Sequence, residues 1–89
     1  KSIEGRLYKG IFFKIHKGCK INFCFQDKKK TAKIIDIKKY NNFLDFFINE
    51  ELKCILPDTN TVEEGIKIYN DYYPKNNGYQ VIGIKFILL

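Results

Sequence analysis

Eighty-nine residues allow one small hydrophobic core and not two, so the chain reads as a single domain over 1–89. Apolar residues make up 45% and aromatics 16%, which excludes a disordered tail; no apolar run approaches the ~20 residues of a membrane span, so no membrane partner is expected. The formal charge of +6 is uneven: residues 1–40 carry twelve Lys or Arg against three Asp or Glu, and residues 41–89 carry four against seven, so the first part favours a polyanionic partner such as nucleic acid. Codon drift toward Lys, Asn, Ile, Phe and Tyr also produces lysine-rich surfaces, and this composition shows that drift.

The chain opens on Lys1-Ser2-Ile3-Glu4-Gly5-Arg6-Leu7. Extended backbone places Glu4 and Arg6 on one face with Ser2, whereas Lys1 has the opposite parity and joins them only where the backbone turns near Ser2. A solvated strand edge with one ion pair, or a protease-processing sequence at Ile3-Glu4-Gly5-Arg6, would also account for these residues. Leu7 to Ile15 is apolar with interspersed lysines, and Lys17-Gly18-Cys19-Lys20 is a glycine-centred turn. Ile21, Phe23 and Phe25 alternate, which predicts a half-buried strand. Gln26 to Lys30 is expected to form a charged hairpin tip, with Thr31 to Lys39 returning as the next strand.

Asn42 is placed to cap a helix carrying Phe43, Leu44, Phe46, Phe47 and Ile48, with Asp45 near its start. Glu50-Glu51 closes it, and Leu52 to Leu56 runs on to the break at Pro57. Thr61 with Glu64 three residues on marks a second helix, its buried stripe Val62, Ile66, Tyr69 and Tyr73, ended by Pro74. After the turn Asn76-Asn77-Gly78, Tyr79 to Leu89 is a strand with apolar residues on both faces, so a central position is expected. The order strand, strand, strand, helix, helix, strand implies an α+β class and a small barrel with two inserted or flanking helices.

Cys19, Cys24 and Cys54 are odd in number and lack metal spacing, and His16 is the single histidine, so no metal and no cofactor is expected. Reduced thiols together with the lack of a recognisable signal peptide point to an intracellular protein, cytoplasmic or nuclear. His16 receives no catalytic role.

Lys1-x-x-Glu4-x-Arg6 resembles the signature of ASCH domains (activating-signal-cointegrator homology), which have a PUA-like β-barrel fold and carry G-x-K-x-x-E-x-R. Lys17 to Phe23 resembles the family's next strand entry, with Cys19 where aspartate is usual. Tyr40-x-x-Phe43, Leu56-Pro57, Tyr72-Tyr73-Pro74 and Gly83-Ile84-Lys85-Phe86 resemble its later elements, so the likeness covers nearly the whole chain. The family's first helix and leading glycine would lie upstream of Lys1. The resemblance implies a PUA-like fold whose cleft is lined by the motif's charged residues, in a superfamily associated with RNA binding. Some bacterial members hydrolyse acylated cytidine with a lysine, a threonine three residues after it, and an acidic residue before the last helix. Lys1 matches that lysine and Asp58 lies in the corresponding loop, but Glu4 replaces the threonine and removes its hydroxyl.

The favoured expectation is an RNA- or nucleotide-binding module. In it Lys1 and Arg6 engage phosphate or a base edge, and Glu4 orients Arg6 or accepts from an exocyclic amine. Lys9, Lys14, Lys17 and Lys20 track the backbone, and Tyr8 or Tyr40 stacks a base. The alternative is an amidohydrolase-like enzyme acting on modified nucleosides through Lys1, Glu4 and Asp58. That role needs Lys1 with a lowered pKa, whereas Glu4 and Asp58 are expected to hold it charged. A partner-binding domain without either activity is the third possibility.

Overall fold

Four antiparallel strands form one sheet in the order β1-β4-β3-β2 in the computed structural model, which describes residues 1–25 and 27–89. The strands are β1 (Ile3–Leu7), β2 (Lys20–Phe25), β3 (Lys28–Tyr40) and β4 (Val81–Leu88), and a 3-10 helix, Gly10–Phe13, follows β1. Helices α1 (Phe43–Asn49), α2 (Leu52–Ile55) and α3 (Val62–Tyr72) lie between β3 and β4. The α+β class and the late central strand agree with expectation, since β4 pairs with β1 on one side and β3 on the other.

Two local expectations are corrected, and a stretch with no expected element proves helical. Leu7–Ile15 does not continue as a strand: after β1 it turns into the 3-10 helix, with Gly10 at φ 60, a conformation that glycine adopts without penalty. In the expected hairpin tip, Gln26 lies outside the described residues, while Lys28, Lys29 and Lys30 belong to β3 and pair with Phe25, Cys24 and Phe23. Leu52–Ile55 forms a separate helical turn, because Glu50 and Glu51 adopt extended backbone and end α1.

The helix starts follow their caps. The Asn42 side chain accepts from the Asp45 amide at 2.8 Å, and the Thr61 hydroxyl accepts from the Glu64 amide at 3.2 Å. Each satisfies a backbone donor that the helix itself leaves unpaired.

Both faces of the sheet are covered. Toward the helices, Ile3, Leu7, Tyr40 and Val81 pack with Phe43, Phe46, Phe47, Ile55 and Tyr69. On the other face Ile34, Ile82 and Ile84 are closed over by Tyr8, Phe12, Ile15, Cys19, Ile21 and Ile37. The long strand β3 changes register between Ile34 and Asp36, a bulge that bends a strand and increases its twist. The sheet is curled into a half-barrel with β1 and β2 as its edges. Among the described residues no pairing closes β1 onto β2.

One close approach fixes the helices on the sheet. Gly5 and Gly83 are cross-strand partners, and the Phe46 ring lies over them. A Cβ at Gly5 would fall 2.6 Å from Phe46 Cε2, and one at Gly83 would fall 3.0 Å from Phe46 Cε1. This contact sets the depth of α1 and, through Tyr69 packed against Phe46 and Phe47, the position of α3 beside β1. Among the described residues no helix is long and apolar enough to cross a membrane.

Candidate functional site

On β1, Ile3 and Leu7 enter the core while Glu4 and Arg6 take the opposite parity. Lys1 precedes the strand, where regular alternation does not apply, and its ammonium turns back to lie 3.3 Å from Glu4 Oε2. The three charged side chains of the opening stretch therefore converge.

Glu4 is the centre of the cluster and is only 4% exposed. Its Oε1 accepts from the Arg6 guanidinium and from the Tyr69 hydroxyl, the latter at 3.2 Å, while Oε2 faces Lys1. Lys1 Nζ also donates to the Ile55 carbonyl at 2.8 Å, and Arg6 to the Gly5 carbonyl at 3.0 Å. Both carboxylate oxygens thus engage protein donors, and Glu4 holds two cations in place at the cavity wall. Its contact with the Arg6 guanidinium is the geometry expected of a group that orients Arg6. Two cations against one carboxylate leave the cluster with one excess positive charge.

Burial dominates the electrostatics. It pushes the Lys1 ammonium below its ordinary pKa, and the opposing pull of Glu4 does not reverse the shift. Loss of solvation outweighs the attraction of Glu4 in setting the direction of this shift. Burial and the Glu4 charge raise Tyr69 well above an ordinary phenol, so it stays protonated and donates. Burial also raises Tyr73, against the pull of Arg6 beside it.

These groups line a cavity of about 520 Å³. One wall is Lys1, Glu4 and Arg6 from the β1 edge; the facing wall is Asn22, Phe23 and Cys24 from β2, the opposite edge of the same sheet. Strands at opposite edges share one cavity because the sheet curls. Leu56, then Ile68, Tyr69 and Tyr72 from α3, and Tyr73 at its C-cap complete the lining. Tyr72 is 79% exposed and packs against Tyr73 with 6.0 Å between ring centroids. The cavity thus combines a net positive patch with aromatic and apolar walls, suited to an anion attached to a flat or apolar group.

A scan of family models finds no match to this chain, and neither does a search of curated proteins. Among solved structures, the crystal structure of hypothetical protein PH0355 superposes with a TM-score of 0.88 at 30% identity, covering 100% of this chain and 82% of that one. The solution structure of PF0455 from Pyrococcus furiosus gives a TM-score of 0.81 at 32% identity over 99% of this chain and 80% of that one. The chain belongs to the family of these two proteins. This family fixes the fold, and the chemistry of the cavity lies in the residues that line it.

Several expected site residues lie elsewhere. Tyr40 is buried and its hydroxyl donates to Glu50 at 2.6 Å, so it is a core aromatic and not a stacking platform. Tyr8 is half-buried beneath the Lys39 ammonium, 4.3 Å from its ring centroid. Asp58 is exposed and does not line the cavity, which separates the expected catalytic trio. Lys14, Lys17 and Lys20 are exposed but do not reach it either. Lys9 lies over the Tyr79 ring at 4.8 Å and lines a second hollow. His16 is exposed, with Nδ1 2.9 Å from the Lys17 carbonyl. Among the described residues no three His, Cys, Asp or Glu side chains gather as metal ligands would.

The lining residues that sequence reasoning did not assign to the site are Asn22, Phe23 and Cys24 of β2, Leu56, and Ile68, Tyr69, Tyr72 and Tyr73. Tyr69 and Tyr73 were legible as the apolar stripe of α3, and the same stripe that packs the core also walls the cavity. The signal available was the run Tyr69-x-x-Tyr72-Tyr73 before Pro74, since three tyrosines at one helix end exceed what a small core needs.

Proposed function

We propose that the protein is an RNA- or nucleotide-binding module of the ASCH, PUA-like kind, and that this cavity takes a nucleotide. Lys1 and Arg6 contact the phosphate, with Glu4 and Tyr69 fixing their positions. The base lies against the α3 tyrosines, with Tyr72 and Tyr73 in the role first expected of Tyr40. The observation that carries this reading is Glu4 itself. A nearly buried carboxylate with its oxygens engaged by Lys1, Arg6 and Tyr69 costs desolvation energy, and what it secures is two positively charged groups at the edge of an aromatic hollow.

Binding of cytidine 5′-monophosphate and of a single-stranded RNA, measured by calorimetry and fluorescence anisotropy, tests it. Arg6→Ala is expected to weaken both by at least tenfold, the scale of a lost charge-assisted phosphate contact. With about two phosphate charges neutralised in the cavity, RNA affinity should fall roughly sevenfold between 50 and 200 mM salt. An affinity indifferent to salt and to Arg6→Ala would overturn the proposal.

One observation favours a second reading. Burial lowers the Lys1 pKa, which brings its neutral, proton-accepting form closer to physiological pH. A hydrolase would use that amine to activate water against the amide of acetylated cytidine, releasing acetate and cytidine. Asp58 does not reach the cavity and Glu4 is tied up, so binding remains the favoured reading. Incubation with N4-acetylcytidine is expected to release no free cytidine above the no-protein control; Lys1-dependent release would establish the enzyme.

A further inference from the structure

Arg6 and Tyr73 face two hollows. Beyond the 520 Å³ cavity they also line a second groove of about 420 Å³, completed by Leu7, Lys9, Gly10, Ile11 and Phe12. Ile11 is 73% exposed and Phe13, on the same 3-10 helix, 59% exposed. Phe13 is held edge-on against Tyr8, with centroids 4.7 Å apart. Ile11 lines the groove itself, and an apolar side chain this exposed at a groove offers a contact to a partner.

The charge around the groove selects the partner. Between Gly5 and Gln26 the sequence contains Arg6, Lys9, Lys14, Lys17 and Lys20 and no aspartate or glutamate. Lys9, Lys14 and Lys17 are exposed on either side of Gly10–Phe13. An apolar floor with the Arg6 and Lys9 cations at its wall complements a chain that alternates flat apolar groups with phosphates.

We infer that the groove is a second nucleotide subsite, so that the protein binds single-stranded RNA across two adjacent positions, with Arg6 at the phosphate that joins them. This rests on the reading of the first cavity as a nucleotide site. Arg6 and Tyr73 form the ridge between the hollows, so one nucleoside lies against the α3 tyrosines and its neighbour over Ile11, between Lys9 and the 3-10 helix. Lys9, one of the lysines expected from the sequence to follow a nucleic-acid backbone, then has a strand to follow, although it does not reach the first cavity. A base-paired helix cannot present separate unstacked bases to two hollows, so duplex RNA binds more weakly.

Ile11→Asp tests the subsite, because Ile11 is exposed, lies outside the first cavity and contributes little to folding. Three ligands are compared by anisotropy or calorimetry: cytidine 5′-monophosphate, a ten-nucleotide single-stranded RNA, and its duplex. The parent protein is expected to bind the single strand at least tenfold more tightly than the mononucleotide or the duplex. Ile11→Asp should cost the single strand about tenfold and leave the mononucleotide within twofold. Equal single-strand affinity for parent and variant overturns the second subsite while leaving the first intact. Failure of the parent to bind the mononucleotide overturns the underlying reading as well. If Ile11→Asp instead abolishes self-association in sedimentation, or binding to anionic lipid vesicles, with RNA affinity unchanged, the groove serves a second copy or a lipid surface and the inference fails.

Discussion

Glu4→Gln is expected to lower the thermal unfolding midpoint by roughly 10–20 °C and to weaken nucleotide binding at least tenfold. The amide keeps the shape and one acceptor oxygen but removes the charge that faces Lys1 and Arg6. Removing one partner of a fully buried pair costs about 3–5 kcal/mol. Here the Lys1 and Arg6 side chains keep 19% and 30% exposure, so both can recover some water, and the expected cost is nearer 2–3 kcal/mol. Circular dichroism melts and calorimetric titration read the two effects. A variant that melts with the parent and binds as tightly would show that the carboxylate neither stabilises nor positions the cations.

The second large effect is at Gly5. Gly5→Ala normally stabilises a chain slightly by restricting its unfolded state, and no positive φ opposes alanine at this position. The Phe46 ring reverses the sign, because the new methyl would lie 2.6 Å from a side chain that is completely buried and cannot retreat. The expected loss is about 1–3 kcal/mol by chemical denaturation. Phe46→Leu in the Gly5→Ala background should recover part of it, giving a coupling energy of about 1 kcal/mol. A neutral Gly5→Ala would mean that α1 is not held at this depth by the glycine pair. The site depends on that depth, since Tyr69 packs on Phe46 and Phe47 and donates to Glu4.

Much of the fold was legible because local and global signals coincide. The caps at Asn42 and Thr61 are where the sequence puts them, and the two-sided apolar pattern of Tyr79 to Leu89 marks a central strand, β4. The start of β3 is hard to read from sequence because its residues are exposed on both faces. Lys28, Lys29 and Lys30 show no apolar alternation, so charge was the only local signal and it suggested a loop, although these residues pair with β2. The 3-10 helix was hidden for a related reason: Gly10–Phe13 leaves Ile11 and Phe13 exposed and produces no recognisable period.

The charged centre of the site was visible in the alternation of Glu4 and Arg6, but the membership of the remaining residues was not. Tyr40 and Tyr72 are both tyrosines near helix ends, and only tertiary packing decides that Tyr40 is buried against Phe46 while Tyr72 lines the cavity. Asn22, Phe23 and Cys24 join the site because the curl brings a distant sheet edge across from β1, a long-range effect that no short pattern encodes.

The most direct test of the central claim is amide chemical-shift mapping with isotope-labelled protein during titration with cytidine 5′-monophosphate at low salt. The shifted resonances are predicted to concentrate in three separate stretches, residues 1–6, 22–24 and 68–73, which meet only around the cavity. Shifts confined to the lysines of β3, or no saturable shifts at millimolar nucleotide, would contradict it.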